Sequence, residues 1–259
     1  MADPNAPILD VRDIDIWYGT QHAVDSVSFS IARGETFGLL GPNGAGKTST
    51  LSAIEGLLQP QGGTVRIAGH DIHEDPAHAK ANMGVQLQST SFHSDLTVRE
   101  IIALYAGLYG LPTPPGMVDG LLRDIQLEDA RKKRFGQLSG GQQQRVSLVI
   151  ATIHNPELVL LDEPTTGLDP QSRRQLWDRI ERIKESGRAI LLTTHSMEEA
   201  EAVCDRIAII DHGKIIATDT PQGLIDAHAS DPRVQKASRG SRITLEDVFI
   251  GLTGSELRG

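Results

Sequence analysis

TFGLLGPNGAGKTSTLSAIEGLL, residues Thr36 to Leu58, is the stretch on which the reading of this chain turns. An apolar run, Phe37 to Leu40, meets a glycine-rich turn and resumes as a segment whose apolar positions include Leu51, Ile54, Leu57 and Leu58, a spacing that suits a helix. The order is strand, loop, helix. The loop has the spacing G-x-x-x-x-G-K-[ST]: Gly41, then Pro42, Asn43, Gly44 and Ala45, then Gly46, Lys47 and Thr48. Gly41, Gly44 and Gly46 carry no side chains, so consecutive backbone N–H groups can turn inward around a phosphate. The helix that follows adds its unpaired amides and the positive end of its dipole. Lys47 has the reach for the β- and γ-phosphates, and in this motif the Thr48 hydroxyl ligates Mg²⁺, with Ser49 next in line. A nucleoside triphosphate is the expected ligand.

Working outward from that loop, residues Leu158 to Leu161 read as a buried strand that delivers Asp162 and Glu163 at its carboxyl end, where open α/β sheets bind ligands. Adjacent carboxylates beside a phosphate loop have separate uses. Asp162 can hold Mg²⁺ directly or through water, and Glu163 can accept a proton from an attacking water. A second buried strand, Arg188 to Thr194, ends at His195, which admits a structural reading and a γ-phosphate contact. Ser196 and Glu199 then have the spacing of a capping box.

Leu138-Ser139-Gly140-Gly141-Gln142 also has capping-box form, with Ser139 and Gln142 at its ends, and opens a helix that stops at Asn155-Pro156. A serine and two glycines at a helix start make a second anion platform. One bound triphosphate needs only one. Asp169-Pro170 reads as an N-cap and first helical residue, starting a helix that ends near Gly187.

Towards the N-terminus, alternating apolar residues in Ile8 to Tyr18, Val24 to Ile31 and Thr64 to Ile67 predict a small antiparallel sheet over one side of the nucleotide. Trp17-Tyr18 admits two readings, core packing or a ring stacked on adenine. Met83 to Gln88 reads as a short strand. Between Gln88 and Leu138 the pattern turns helical: Thr97 and Glu100 form a capping box, and Pro112, Pro114 and Pro115 separate two amphipathic segments. His70, His73 and His78 match no common zinc spacing and read as solvated loop residues.

At the other end, His212-Gly213 marks a hairpin, Thr220-Pro221 a short helix, Ser230 to Arg242 an irregular hinge, and Thr244 the cap of a final amphipathic helix.

Composition narrows the class. The net charge of −9 argues against a surface built to neutralise nucleic-acid phosphates, and the one basic run, Arg131 to Arg134, reads as a solvated face. The single cysteine, Cys204, excludes an internal disulfide, fits a reducing compartment and reads as a small core residue. The first ten residues lack a basic region followed by an apolar one, which predicts no signal peptide. No apolar run approaches the roughly 20 residues of a membrane helix, so any membrane crossing falls to another chain.

Taken in order, GPNGAGKT at 41–48, Gln88 at a strand end, LSGGQ at 138–142, LVLLDEP at 158–164, GLD at 167–169 and His195 resemble the ATP-binding subunit of an ABC transporter over nearly the whole chain. The resemblance implies an α/β fold. Its P-loop NTPase (RecA-like) core carries an N-terminal antiparallel β subdomain and an inserted α-helical subdomain.

In the implied division, residues 1–229 form the ATPase domain. The helical insert at 89–138, together with the signature helix, makes a subdomain at 89–155, and 230–259 is hinge and C-terminal helix. The resemblance further implies that Tyr18 stacks on adenine and that Gln88 contacts Mg²⁺ and water and relays nucleotide state to a membrane partner. Ser139 and Gly141, with Gly140 and Gln142 in the same platform, would bind the γ-phosphate held by the P-loop of a second subunit. Asp169 would act across the same interface, and His195 would hold the γ-phosphate and the attacking water.

Implied cofactors are ATP and Mg²⁺. Implied partners are a second copy or a homologous ATPase subunit, joined head to tail, and a separate integral membrane permease, with no nucleic acid. The implied location is the cytoplasmic face of the cell membrane. RVSLVIATIHNPEL after the signature differs from the arginine-rich RVAIARAL of many importers, and the ending ITLEDVFIGLTG looks like ABC-2-type exporters of drugs, lipids or polysaccharides. An importer ATPase, or a soluble relative acting on ribosomes or DNA, is the alternative.

Overall fold

The computed structural model describes residues 6–86, 92–238, 240 and 242–254. The chain begins with β1 (Leu9–Tyr18) and β2 (Gln21–Ile31), joined by a tight turn, then β3 (Thr36–Leu40) and α1 (Lys47–Ile54). β4 (Gly62–Ile67), β5 (His70–Asp71), α2 (Pro76–Ala81) and β6 (Met83–Gln86) follow. A helical region holds α3 (Val98–Leu108), α4 (Met117–Asp124) and α5 (Gly140–Thr152). After it come β7 (Leu158–Asp162), α6 (Pro170–Glu185), β8 (Ala189–Thr194) and α7 (Met197–Val203). The hairpin β9 (Arg206–Asp211) and β10 (Lys214–Asp219) leads into α8 (Pro221–His228), α9 (Pro232–Ala237) and α10 (Leu245–Thr253).

Two sheets organise these elements. The first is antiparallel, in the order β2-β1-β4-β5; the second runs β10-β9-β3-β8-β7-β6, parallel except for the β9–β10 hairpin at one edge. Strands β3 and β8 are buried along their whole length, as a sheet covered on both faces requires.

Their period-2 alternation divides the core. Phe37, Leu39, Leu160, Leu191 and Ile210 point to one side, where β1, β2 and α1 cover them, and the Phe29 and Phe37 rings stack with centroids 5.1 Å apart. Leu40, Leu161, Leu192 and Ile209 point to the other, against α6, α7 and the C-terminal helices. A third cluster unites α3, α4 and α5 through Ile101, Ile102, Leu122, Val146 and Val149. Thr97 and Glu100 cap α3 reciprocally, as their spacing predicts.

Two readings of the sequence need correction. The stretch 230–242 is not irregular throughout. It contains α9, capped by Asp231, and Val234 is fully buried against α10. Gly251 makes that approach feasible, since a Cβ there would lie 2.7 Å from the Val234 Cα. The final helix buries Leu245, Val248 and Phe249 in its own chain's core.

The Ser196–Glu199 box is only half formed. Ser196 accepts the Glu199 N–H at 3.3 Å, while the Glu199 carboxylate turns into the core towards Trp177 Nε1 at 3.4 Å. The two-residue β5 is too short to leave a pattern in the sequence; the strand read over Met83 to Gln88 is described to Gln86, and Gln88 lies outside the described residues. Among those residues no helix is long and apolar enough to cross a membrane.

Candidate functional site

Parallel registry brings distant residues to one sheet edge. Leu40 pairs with Thr194 and Asp162 with Thr193, so Gly41, Glu163 and His195, each at a strand's carboxyl end, emerge side by side. The P-loop leaves this edge in a path only glycine permits. A Cβ on Gly41 would lie 2.4 Å from the Ile210 carbonyl oxygen; Gly46 has φ +108°, and a Cβ there would meet the Ala23 carbonyl at 2.5 Å. Gly213, in the β9–β10 turn, donates its N–H to the Ala45 carbonyl at 3.0 Å and braces the loop. Gly46 stands at the N-cap of α1 with no side-chain cap, leaving the helix amides to an external anion.

Lys47 is buried, and its ammonium donates to the carbonyls of Gly41 at 2.7 Å and Pro42 at 3.1 Å. Burial pulls its pKa down, while Glu163 and Asp162 pull it up. Those acids are themselves positioned by a residue the sequence reading missed. Thr193 is buried. Its hydroxyl donates to Asp162 Oδ1 at 2.5 Å, and the Glu163 N–H lies 3.1 Å from both its hydroxyl and its carbonyl oxygen.

Glu163 has φ +45°, a left-handed conformation that costs a non-glycine residue about 1–2 kcal/mol. His195 Nδ1 is 3.2 Å from Glu163 Oε1, and Thr166 donates to Oε2 at 3.3 Å. The strained backbone thus aims a carboxylate held from two sides. Glu55, at the end of α1, was missed as well: burial first, and the charge of Asp162 second, push its carboxyl up to about 7. A lone Thr in an apolar strand and a lone Glu after a helix carry no pattern that would have singled them out.

Of the two readings of Trp17-Tyr18, core packing fails for the tyrosine. Tyr18 is 51% exposed, with its hydroxyl 3.4 Å from Ser49 Oγ on α1. Trp17 is stacked on His22 with centroids 3.9 Å apart. Around the P-loop the exposed groups are Asn43, Gly44 and Thr48, with Pro42 and Ser49 half-buried and Ala45 buried.

LSGGQ forms a second group. Ser139 caps α5, its Oγ accepting the Gln142 N–H at 3.3 Å and its own N–H donating to Gln142 Oε1 at 3.1 Å. Ser139 and Gly140 are exposed, and Gly141 is buried under Ser172, whose Oγ a Cβ would meet at 2.5 Å. Ser172 Oγ in turn donates to Asp169 Oδ2 at 2.6 Å, and with the backbone N–H groups of Ser172 and Gln171 it holds the Asp169 carboxyl below its ordinary value. The signature helix and Asp169 are therefore one unit. Gln144 on α5 also reaches Gln86 at the end of β6, a buried amide pair tying the signature helix to the strand before Gln88.

Other sequence candidates stand apart from the site. Arg131 and Arg134 face Asp119 and Asp95 at 3.7 Å on the surface, pairs worth little. Cys204 is buried, burial raising its thiol pKa, and its Sγ lies against Gly38.

Residues 24–166 match a family model described as ABC transporter. A Nod factor export ATP-binding protein I from Burkholderia lata is 40% identical, over 98% of this chain and 99% of its own length. The protein of that name from Ralstonia nicotianae is 42% identical, over 85% of this chain and 70% of its own. A solved ATP-binding subunit of an ABC transporter superposes with a TM-score of 0.79 at 31% identity, covering 95% of this chain and 99% of that one. A solved ATP-binding cassette in its ADP conformation gives a TM-score of 0.78 at 26% identity, covering 89% and 98%.

Proposed function

This chain belongs to the ABC transporter family as an ATP-binding subunit, and from that premise we propose that it pairs head to tail with a second copy or a homologous subunit around two ATP molecules. One observation supports this most strongly: besides the P-loop, the chain has a second helix start of the form that suits an anion, where Ser139 caps its own helix and both Ser139 and Gly140 are exposed. Each ATP lies between the P-loop of one copy and the Ser139 platform of the other, with Tyr18 against the adenine and Asp169 crossing the interface. The terminal phosphate joins the two surfaces, so its loss parts them.

In hydrolysis, Glu163 takes a proton from water, whose oxygen attacks the γ-phosphorus. The bond from that phosphorus to the β–γ bridging oxygen breaks, and ADP and phosphate leave. Lys47 and the α1 amides stabilise charge on the transferred group, and His195 holds Glu163 and the water in line. Thr48 and Asp162, with Gln88 as the resemblance implies, would hold Mg²⁺, an ion that takes hard oxygen donors and would supply positive charge to the phosphates.

The cycle drives a separate membrane-spanning permease, peripherally bound at the cytoplasmic face, and the names of the similar Burkholderia and Ralstonia proteins favour export. The test is the ATPase rate per molecule against protein concentration. It rises with concentration when the active form is a pair. A flat rate, with no dimer detectable under turnover, overturns the shared site.

A further inference from the structure

His70, Asp75 and His78 lie on elements that carry no residue of the nucleotide site. His70 opens β5, Asp75 is the N-cap of α2 and His78 follows three residues later. Their spacing, H-x-x-x-x-D-x-x-H, looked unsuited to a metal, but the fold returns α2 alongside β5 and the three side chains converge. His70 Nδ1 is 2.8 Å from Asp75 Oδ2, and His78 Nδ1 is 2.7 Å from Oδ1. The two imidazoles lie face to face with centroids 5.1 Å apart and 20° between planes. One donor atom from each of the three residues falls within 4.8 Å of the others.

One carboxylate thus holds two imidazole nitrogens, each sharing a proton with a different oxygen. With each neutral ring's proton carried on Nε2 instead, both Nδ1 atoms are free to ligate, and a cation there meets two nitrogen donors and one oxygen donor on one side and solvent on the other. That donor set is taken by late first-row divalent ions and not by Mg²⁺, which prefers six oxygens.

We propose that this chain binds a divalent transition-metal ion of the zinc class through His70 Nδ1, His78 Nδ1 and the Asp75 carboxylate, with water completing the coordination. The ion pins β5 to α2. Since α2 runs directly through Asn82 into β6, the pin lies on the segment that leads to Gln88.

The other three-residue group among the described residues, Asp15, His22 and Asp25, does not make such a site. His22 turns Nε2 to Asp15 at 2.8 Å and Nδ1 to Asp25 at 3.6 Å, and a single ion cannot take both nitrogens of one ring. Lys214 already neutralises Asp25 at 2.9 Å.

The experiment uses the full chain, tag-free, chelator-treated and without nucleotide, titrated with Co²⁺ and followed by visible absorption, with Zn²⁺ as competitor. One Co²⁺ binds per chain with the intense bands of a four-coordinate ion, and Zn²⁺ displaces it. His70→Ala and His78→Ala each weaken binding by more than about tenfold and abolish the bands, while His22→Ala leaves both unchanged. Far-UV circular dichroism establishes that the variants are folded. Absence of saturable uptake, or bands that survive both histidine substitutions in folded protein, overturns the proposal.

Discussion

In the proposed pairing the P-loop edge and the signature helix both meet phosphate, yet they are equipped differently. At the first, a buried ammonium rests on the carbonyls of its own loop, two carboxylates stand beside it, and a strained backbone aims one of them. At the second, LSGGQ itself has no charged side chain: Ser139 caps a helix beside the exposed Gly140, Gly141 sits tight against Ser172, and the charge held there is that of Asp169. The proposed reacting groups belong to one region, recognition through neutral donors to the other. A neutral platform binds weakly alone and strongly once a phosphate is presented to it, which suits a surface that must both grip and let go.

The largest effect should come from the charged region. Glu163→Gln keeps the shape and removes the proton acceptor, so ATP still binds while hydrolysis falls by about 10²–10⁴-fold and the paired form accumulates on size exclusion. Hydrolysis near the wild-type rate would remove Glu163 from the role.

Next comes the neutral region. Gly141→Ala puts a methyl where Ser172 Oγ now lies and breaks the link to Asp169, a packing cost of about 1–3 kcal/mol. We expect about a tenfold loss of hydrolysis with ATP affinity of the single chain unchanged. A loss of that affinity instead would erase the distinction between the two regions.

The smallest effect is on stability. Glu55 titrates at about 7 in the fold against an ordinary 4.5. Between those values the folded chain holds a proton that the unfolded chain has released, so stability falls as pH rises through the window. Glu55→Gln therefore stabilises the nucleotide-free protein by up to about 3 kcal/mol at pH 8 and by nothing below pH 4.5, read as the urea midpoint at each pH. An equal shift at both pH values would mean that the carboxylate is not the cause.

Local patterns made much of this legible. The phosphate loop, the caps at Thr97, Ser139 and Asp169, the buried strands and the β9–β10 hairpin are each written in residues close together in sequence. What stayed hidden depends on tertiary registry. Thr193 becomes the support of the Asp162 carboxylate and the Glu163 backbone only because β7 and β8 pair so that it faces Asp162. Glu55 is ordinary until the fold buries it near that same aspartate. Helix α9 has one buried apolar residue in a polar stretch, too little for periodicity, and depends on Gly251 to admit it. The convergence of His70 and His78 on Asp75 is likewise a product of how α2 returns along β5.

The division of labour between the two regions is tested most directly by a covalent trap. One batch of chain carries Asn43→Cys, a second carries Ser139→Cys, both in the Glu163→Gln background, and the mixture is treated with a short bis-maleimide, which alkylates both thiols. The account predicts a covalent dimer of one chain of each kind in ATP·Mg²⁺ and not in ADP. If both variants bind ATP and no mixed dimer forms, the P-loop of one copy does not meet the signature of another, and the proposed arrangement is wrong.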